Sequence, residues 1–426
     1  MKQPPHDPRY VTDVPYARRF VRELSPAWLD FSATICGAAP PERGDGFTWC
    51  ELGCGHGVTP ALLAATLPRG HFVGIDLMPE HITFAEKLCR EAGIDNAIFH
   101  ACDFAAAAQR DLPAFDYIVA HGVYTWIDAG AQADLLAFVA RHLKPGGILY
   151  LSYNTLPGWA ADMPLQHLLQ QLAARAPGDG IARLDAADQA VTALARAGSD
   201  VLQTGAMGRE WRELRAKLPP AYFVHELLPP AWRPLYVTEV RRATAALGLV
   251  PIGSATIREN VDAFTLDRAA QILVAQQTDP DLRELMRDYL LMKRFRRDLF
   301  GRAAPDLPSN LVRARVLATR FMLAETGDAP GSAPLGFKDP VALRILDLLQ
   351  AGPNAPAALE SEGIARADLV GQILALAAAG RIWPVEAADA EGEAWHHMNA
   401  ALLRRRGSAD AIDFTLRACG IAVEGA

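Results

Sequence analysis

The stretch Cys50–Leu63, "CELGCGHGVTPALL", sets three glycines at alternate positions between an apolar run and a helix-like one. Each glycine forfeits side-chain packing and costs conformational entropy on folding. Gly53, Gly55 and Gly57 together therefore imply that backbone, not side chain, must approach something there. "TWCEL" (48–52) before them reads as a buried strand, and "VTPALLAATL" after them as a helix, with Pro60 tolerable in its first turn. In a strand, glycine-rich turn and helix, the amides of the turn and the helix N-terminus face a ligand at the carboxyl edge of a sheet.

Outward from this turn the pattern repeats. "HFVGID" (71–76), "NAIFHACD" (96–103), "FDYIVAHG" (115–122) and "GGILYLSYN" (146–154) read as strands, with helical runs between them. Strands alternating with helices predict an α/β domain over residues 1–157, a parallel sheet covered on both faces. Strand signals stop over 158–230, where Leu165, Leu168, Leu169 and Leu172 share one helical face, predicting a helical insertion or cap. Residues 231–325 are expected to complete the sheet, with "DAFTL" (262–266) pairing with the strand after Gly248. A long amphipathic helix over 279–300 would carry Lys293, Arg294, Arg296 and Arg297 on a solvated face, with a binding role as the alternative. A Gly/Pro-rich linker (324–340) leads to three short helices and a strand, the order of a winged-helix-like module (335–400). Residues 401–426 read as a poorly packed tail.

Composition narrows the function. Half of the 426 residues are hydrophobic, enough for two or three cores, and the net charge of −7 does not favour nucleic acid or an anionic membrane. The third helix of the C-terminal module, "RADLVGQILALAAAG", is too apolar to read base edges. No apolar run reaches the ~20 residues a bilayer span requires. No secretory h-region opens the chain, so a cytoplasmic protein is expected. The six cysteines show no metal-ligand spacing, so no metal is predicted and the thiols read as small apolar side chains in a reducing compartment.

The dinucleotide fingerprint needs its third glycine where Val58 stands. The spacing is instead Glu51-x-Gly53-x-Gly55-x-Gly57, the form found in class I S-adenosylmethionine methyltransferases. The expected fold is thus a Rossmann-like class I methyltransferase sheet, and the expected cofactor is S-adenosylmethionine. Glu51 is assigned to the loop or to the ligand's ammonium, and Cys54 lies within the loop. Asp76 ends the second strand, 23 positions after Gly53, where a carboxylate can accept both ribose hydroxyls, with Leu77 beside it. Asp103 can accept from the adenine amino group while Phe104 packs near the ring.

The acceptor should lie beyond the fourth and fifth strands, at "HGVYTWID" (121–128) and "SYNTLPGW" (152–159). Trp126 and Trp159 either line the pocket or seal the cap on the sheet. "FDYIVAHGVYTWID", "LKPGGILYLSYNTLPGW", "VHELLPPAWRPLY" and "LRELMRDYLLMKRFRRDL" together resemble a bacterial family of class I methyltransferases carrying the predicted methyltransferase regulatory domain. Its understood relatives are lysine methyltransferases acting on outer-membrane proteins. The resemblance implies a cofactor site at Glu51, Gly53, Gly55, Asp76 and Asp103, and a transfer pocket at His121, Tyr124, Trp126, Tyr153 and Asn154. It departs at "GHGVTP", where many relatives carry another glycine or asparagine. A protein substrate is implied, most readily through lysine; a small molecule or envelope precursor is the alternative, and a silent cofactor-binding scaffold a third. A homodimer is compatible with the size of the added regions.

Overall fold

A computed structural model describes residues 13–14, 18–203, 206–302, 306–324, 338–387, 393–408, 411–412, 414–417, 419–420 and 422–424. Seven strands form one sheet: β1 (Phe47–Leu52), β2 (Gly70–Asp76), β3 (Ala97–Ala101), β4 (Phe115–Ala120), β5 (Leu143–Asn154), β6 (Val250–Ser254) and β7 (Phe295–Gly301). Their order is β3-β2-β1-β4-β5-β7-β6. β1 to β5 are mutually parallel, and β7 runs antiparallel to both β5 and β6. The chain reverses strand order at β1 and β4, which opens the crevice where ligands bind in such sheets.

Alternate residues of each central strand enter opposite cores. Trp49, Phe72, Tyr117 and Tyr150 join one cluster with the helices Val58–Thr66 and Pro79–Ala92. Cys50, Val73, Ile118 and Leu149 join the other, against Leu135 and Phe138 of the helix Ala129–His142. That two-residue period, apolar on both faces, is what a doubly covered parallel sheet requires.

The completion of the sheet differs from expectation. "DAFTL" is no strand: Asp262–Phe264 forms a 3-10 turn. The helix ends at Leu291, and Met292 takes a left-handed conformation (φ 45°) that turns the chain into β7. Arg296 and Arg297 thus lie on a strand, not on a solvated helix face. Arg296 is buried, bonding Asp298 at 2.9 Å, Asp288 at 2.5 Å and Glu284 at 2.7 Å. The long-range pairing with β5, Tyr153 opposite Arg296, overrides the local helical pattern.

Between β5 and β6 the described residues form six helices, and the first five, from Met163–Ala173 to Pro220–Leu227, have a small core of their own around Leu169, Leu184, Trp211 and Phe223. The expected linker falls largely on residues 325–337, outside the described ones. Beyond it, helices Pro340–Gln350 and Arg366–Ala378 and the 3-10 helix Pro356–Glu362 precede β9 (Ile382–Val385), whose partner is β8 (Arg320–Leu323), from before the linker. Helices and strand come in the expected order, but the hairpin wing that defines a winged helix is not seen among the described residues. Ile345, Ile373 and Ile382 instead merge with the main core. Nor are the described residues of the expected tail loosely packed. The helix Ala394–Arg405 lies against Pro79–Ala92, Arg405 pairs with Glu91 at 2.7 Å, and Leu402 and Leu416 are buried. Among the described residues, no helix is long and apolar enough to cross a membrane.

Candidate functional site

At the carboxyl edge, the loop after β1 takes positive φ at Gly53 (73°), Gly55 (53°) and Gly57 (63°). A Cβ on Gly53 would lie 2.4 Å from Val123 Cγ2, so the loop is pressed against the segment after β4. Gly57 answers to packing instead: a Cβ there would meet Ala85 and Phe99 at 2.5 and 2.6 Å. The sequence assigns all three glycines to the ligand; Gly57, buried, serves the sheet.

Asp76 organises this edge. Its Oδ2 accepts from Gly55 N at 2.8 Å; its Oδ1 accepts from Met78 N at 2.9 Å and bonds His81 Nδ1 at 3.0 Å. A carboxylate offers about four lone-pair sites, and three are taken. One remains, on Oδ2, so Asp76 can take one ribose hydroxyl where two were expected. His81 was missed by the sequence, although it stands in the first turn of the following helix. His56, inside the loop, stacks on it at 4.3 Å. Burial, helped by the His81 charge, lowers the His56 pKa to about 3, keeping it neutral.

Glu51 is buried and its Oε2 has no partner. Burial, then the Asp76 charge, raises its pKa well above the usual carboxylate value. A cation placed beside Oε2 would relieve that cost, and the amino group of S-adenosylmethionine is such a cation. Asp103 caps the next helix through Oδ1, which accepts from Ala106 N at 2.7 Å, leaving Oδ2 at an exposed position. Leu77, 41% exposed, and half-buried Phe104 supply apolar surface near it. Cys54 is buried, its thiol pKa pushed up by burial, so it shapes the loop without being reactive. These residues fit S-adenosylmethionine: an unpartnered carboxylate for the ammonium, one acceptor for the ribose, another for adenine.

The acceptor residues divide. Asn154 is the hub at the end of β5: its N donates to Thr125 Oγ1 (3.1 Å), its Nδ2 to Glu226 Oε1 (3.3 Å), and its Oδ1 accepts from Trp159 Nε1 (3.1 Å). Trp126 Nε1 donates to the Glu226 carbonyl at 3.3 Å. A cavity of about 340 Å³ opens here, lined by Trp159, Asp162, Gln166, Tyr222, Glu226 and Arg294 among others. Burial raises the Glu226 carboxyl to a pKa of about 7, against the Asn154 hydrogen bond and the Arg294 charge, which lower it.

Tyr153 does not join them. It is fully buried, and its hydroxyl donates to Asp298 Oδ2 at 2.5 Å. Successive strand residues point to opposite faces, so Asn154 and Tyr153 cannot share one pocket. Tyr124 packs in the same apolar cluster as Tyr153, and burial raises its phenol to about 12. An aromatic wall of Tyr124, Trp126 and Tyr153 is therefore not formed. His121 Nδ1 bonds Tyr150 OH at 2.8 Å, and its ring meets the Phe295 ring edge to face. Burial, with the Arg297 charge, drops its pKa to about 3, so it is a neutral hydrogen-bonding group.

Glu226, Asp162 and Arg294 were not foreseen. For Glu226 a signal existed: on the helix Pro220–Leu227 it follows Tyr222 and Phe223 at helical spacing, an acid on an apolar face. No local signal marks Arg294, which β-pairing alone brings to Trp159.

Residues 44–196 match the model of a methyltransferase domain, and residues 219–302 that of the predicted methyltransferase regulatory domain. An uncharacterized protein of Synechocystis is 34% identical over 69% of this chain and 58% of its own length. The trans-aconitate 2-methyltransferase of Azoarcus is 33% identical over 33% of this chain and 49% of its own. The chain thus spans about half the length of these relatives. PKMT2 from Rickettsia typhi, solved in complex with AdoHcy, superposes with a TM-score of 0.75 at 18% identity, covering 96% of this chain and 86% of that one. The chain carries an S-adenosylmethionine-dependent methyltransferase domain of the class I fold, followed by a methyltransferase regulatory domain.

Proposed function

We propose that this protein transfers a methyl group from S-adenosylmethionine to the side-chain amine of a lysine in a protein substrate. S-adenosylmethionine supplies the methyl on an already activated sulfonium. The chain's residues must then bind and orient the acceptor, exclude water and remove a proton. The observation that carries the reading is Glu226, half-buried on the cavity wall, hydrogen-bonded to Asn154 and next to Trp159. An amine of pKa ~10.4 must be neutral to attack, which at pH 7 costs roughly 4–5 kcal/mol. A carboxylate with a pKa of about 7 is basic enough to share that proton once the amine is seated beside it. Asn154 fixes the carboxylate, and Trp126 fixes the backbone that carries it.

A second reading, a small carboxylic acid as acceptor, draws on the exposed Arg294 guanidinium at the same cavity and on the partial likeness to trans-aconitate 2-methyltransferase. The two are separated by incubating the purified protein with methyl-labelled S-adenosylmethionine and host extract. Label recovered as methyl-lysine after hydrolysis of protein supports the first. Label confined to metabolites of low mass overturns it.

A further inference from the structure

The cavity beside Asn154 already holds a cation, and it is the protein's own. The Arg294 guanidinium lies 4.2 Å above the Trp159 ring, forms an ion pair with Asp162, and acts electrostatically on Glu226. An aromatic face flanked by two carboxylates is the chemistry of an ammonium receptor. Arg294 belongs to the segment that matches the regulatory domain, whereas Trp159 and Asp162 belong to the segment that matches the methyltransferase domain.

We propose that Trp159, Asp162 and Glu226 form the seat for the acceptor's alkylammonium group, and that Arg294 fills this seat until an acceptor displaces it. This rests on the amine reading above and deepens it. The geometry allows the exchange. Arg294's backbone is fixed, its carbonyl accepting from Thr155 N at 2.9 Å, while its side chain is 43% exposed. The guanidinium can therefore swing out without disturbing β7, and its pair with the 15% exposed Asp162 is open to water on the guanidinium side. Trp159 stays in place, held through Nε1 by Asn154 and edge to face with Trp232 at 5.0 Å. A regulatory segment thereby raises the affinity threshold for the acceptor, because binding is weakened by the fraction of seats already filled.

The test uses the full chain and n-butylammonium chloride as probe, titrated at constant ionic strength and followed by tryptophan fluorescence. Arg294→Met and Arg294→Gln, each checked for an unchanged melting temperature, should bind the probe about tenfold more tightly than the parent protein. Trp159→Leu should bind it about tenfold more weakly. Unchanged or weaker binding in both folded Arg294 variants overturns the proposal. The two readings fail separately: label entering lysine with no gain on Arg294 removal discards the seat alone. A clear gain with label only in small metabolites keeps the seat and discards the protein substrate.

Discussion

The regions proposed for cofactor and acceptor are built in opposite ways. The cofactor edge uses contiguous residues: Gly53 to Gly57 after β1, Asp76 and Leu77 after β2, Asp103 and Phe104 after β3, each at the end of its own strand. The acceptor edge gathers Trp126, Asn154, Trp159, Glu226 and Arg294 from segments far apart in sequence. Antiparallel pairing of β5 with β7 assembles them, together with hydrogen bonds such as Leu235 N to Asn154 O at 3.0 Å. On the reading proposed here, the first edge offers backbone and single carboxylates to a fixed ligand, so its chemistry is local. The second, proposed for the acceptor, draws its parts from the sheet domain as well as from the insertion and the regulatory region.

The largest effect should come from the local edge. Asp76→Ala leaves Gly55 N, Met78 N and His81 without their acceptor as well as removing the ribose contact. S-adenosylmethionine affinity should fall about 100-fold or more, and unfolding free energy by about 2–4 kcal/mol. Calorimetry and denaturant melts measure both. An intact affinity would mean that the loop holds its shape without Asp76, and the contrast between the edges would lose its basis.

Glu226 carries the next effect. Its carboxyl pKa is raised from 4.5 to about 7. Between these values the folded protein binds a proton at this site that the unfolded chain releases, so its contribution to stability falls as pH rises through that window. Only the ionised form accepts a proton, so transfer should climb with pH through about 7, beyond the slope due to the amine itself. Glu226→Gln should lose that inflection, lower transfer at pH 8 by about 100-fold, and flatten the stability profile. An unaltered pH–rate curve would move proton acceptance elsewhere.

The strands as far as β5 were legible because each is a short apolar run that ends in its own turn, whereas the helices Pro26–Ile35 and Phe104–Gln109 were not read. β7 was not legible. "FRRDLFG" is a buried strand with three charged residues, tolerable only because Arg296 meets Asp288, Glu284 and Asp298, two of them on another element. Asp298 is close by, but Asp288 and Glu284 lie eight and twelve residues back on the helix, and the helical spacing of the preceding apolar residues runs on into the strand. The same limit separated Tyr153 from Asn154. Their strand was readable, but which of its faces opens on the cleft was set by Asp298 and by Glu226, each over 70 positions away.

That alternation gives a paired prediction. Asn154→Ala unties Glu226 and Trp159 together, and transfer should fall about 30-fold with S-adenosylmethionine affinity changed less than about threefold. Tyr153→Phe removes one buried hydrogen bond to Asp298, lowering stability by about 1–2 kcal/mol while transfer stays within about threefold. Single-turnover rates on the labelled acceptor, with melts alongside, decide between them. Equal loss of transfer in both variants would return Tyr153 to the pocket.

The smallest effect is expected at Asp103. Its Oδ1 caps the helix Phe104–Gln109, and asparagine caps nearly as well, so Asp103→Asn should leave stability unchanged within about 0.5 kcal/mol. At the exposed Oδ2 position the substitution presents an amide, which keeps one oxygen and adds a donor. If the cap retains the oxygen, the amide nitrogen faces the adenine amino group, two donors opposed, and one hydrogen bond is lost. Because the site is open to water, that loss should amount to about threefold in S-adenosylmethionine affinity, well below the effect at Asp76. The difference follows from burial and from partners: Asp76 has lost its water and holds three hydrogen-bond partners, whereas Asp103 stays exposed and holds one. Calorimetric titration of the two variants side by side tests it, and equal losses at both positions would mean that depth in the crevice does not rank these contacts.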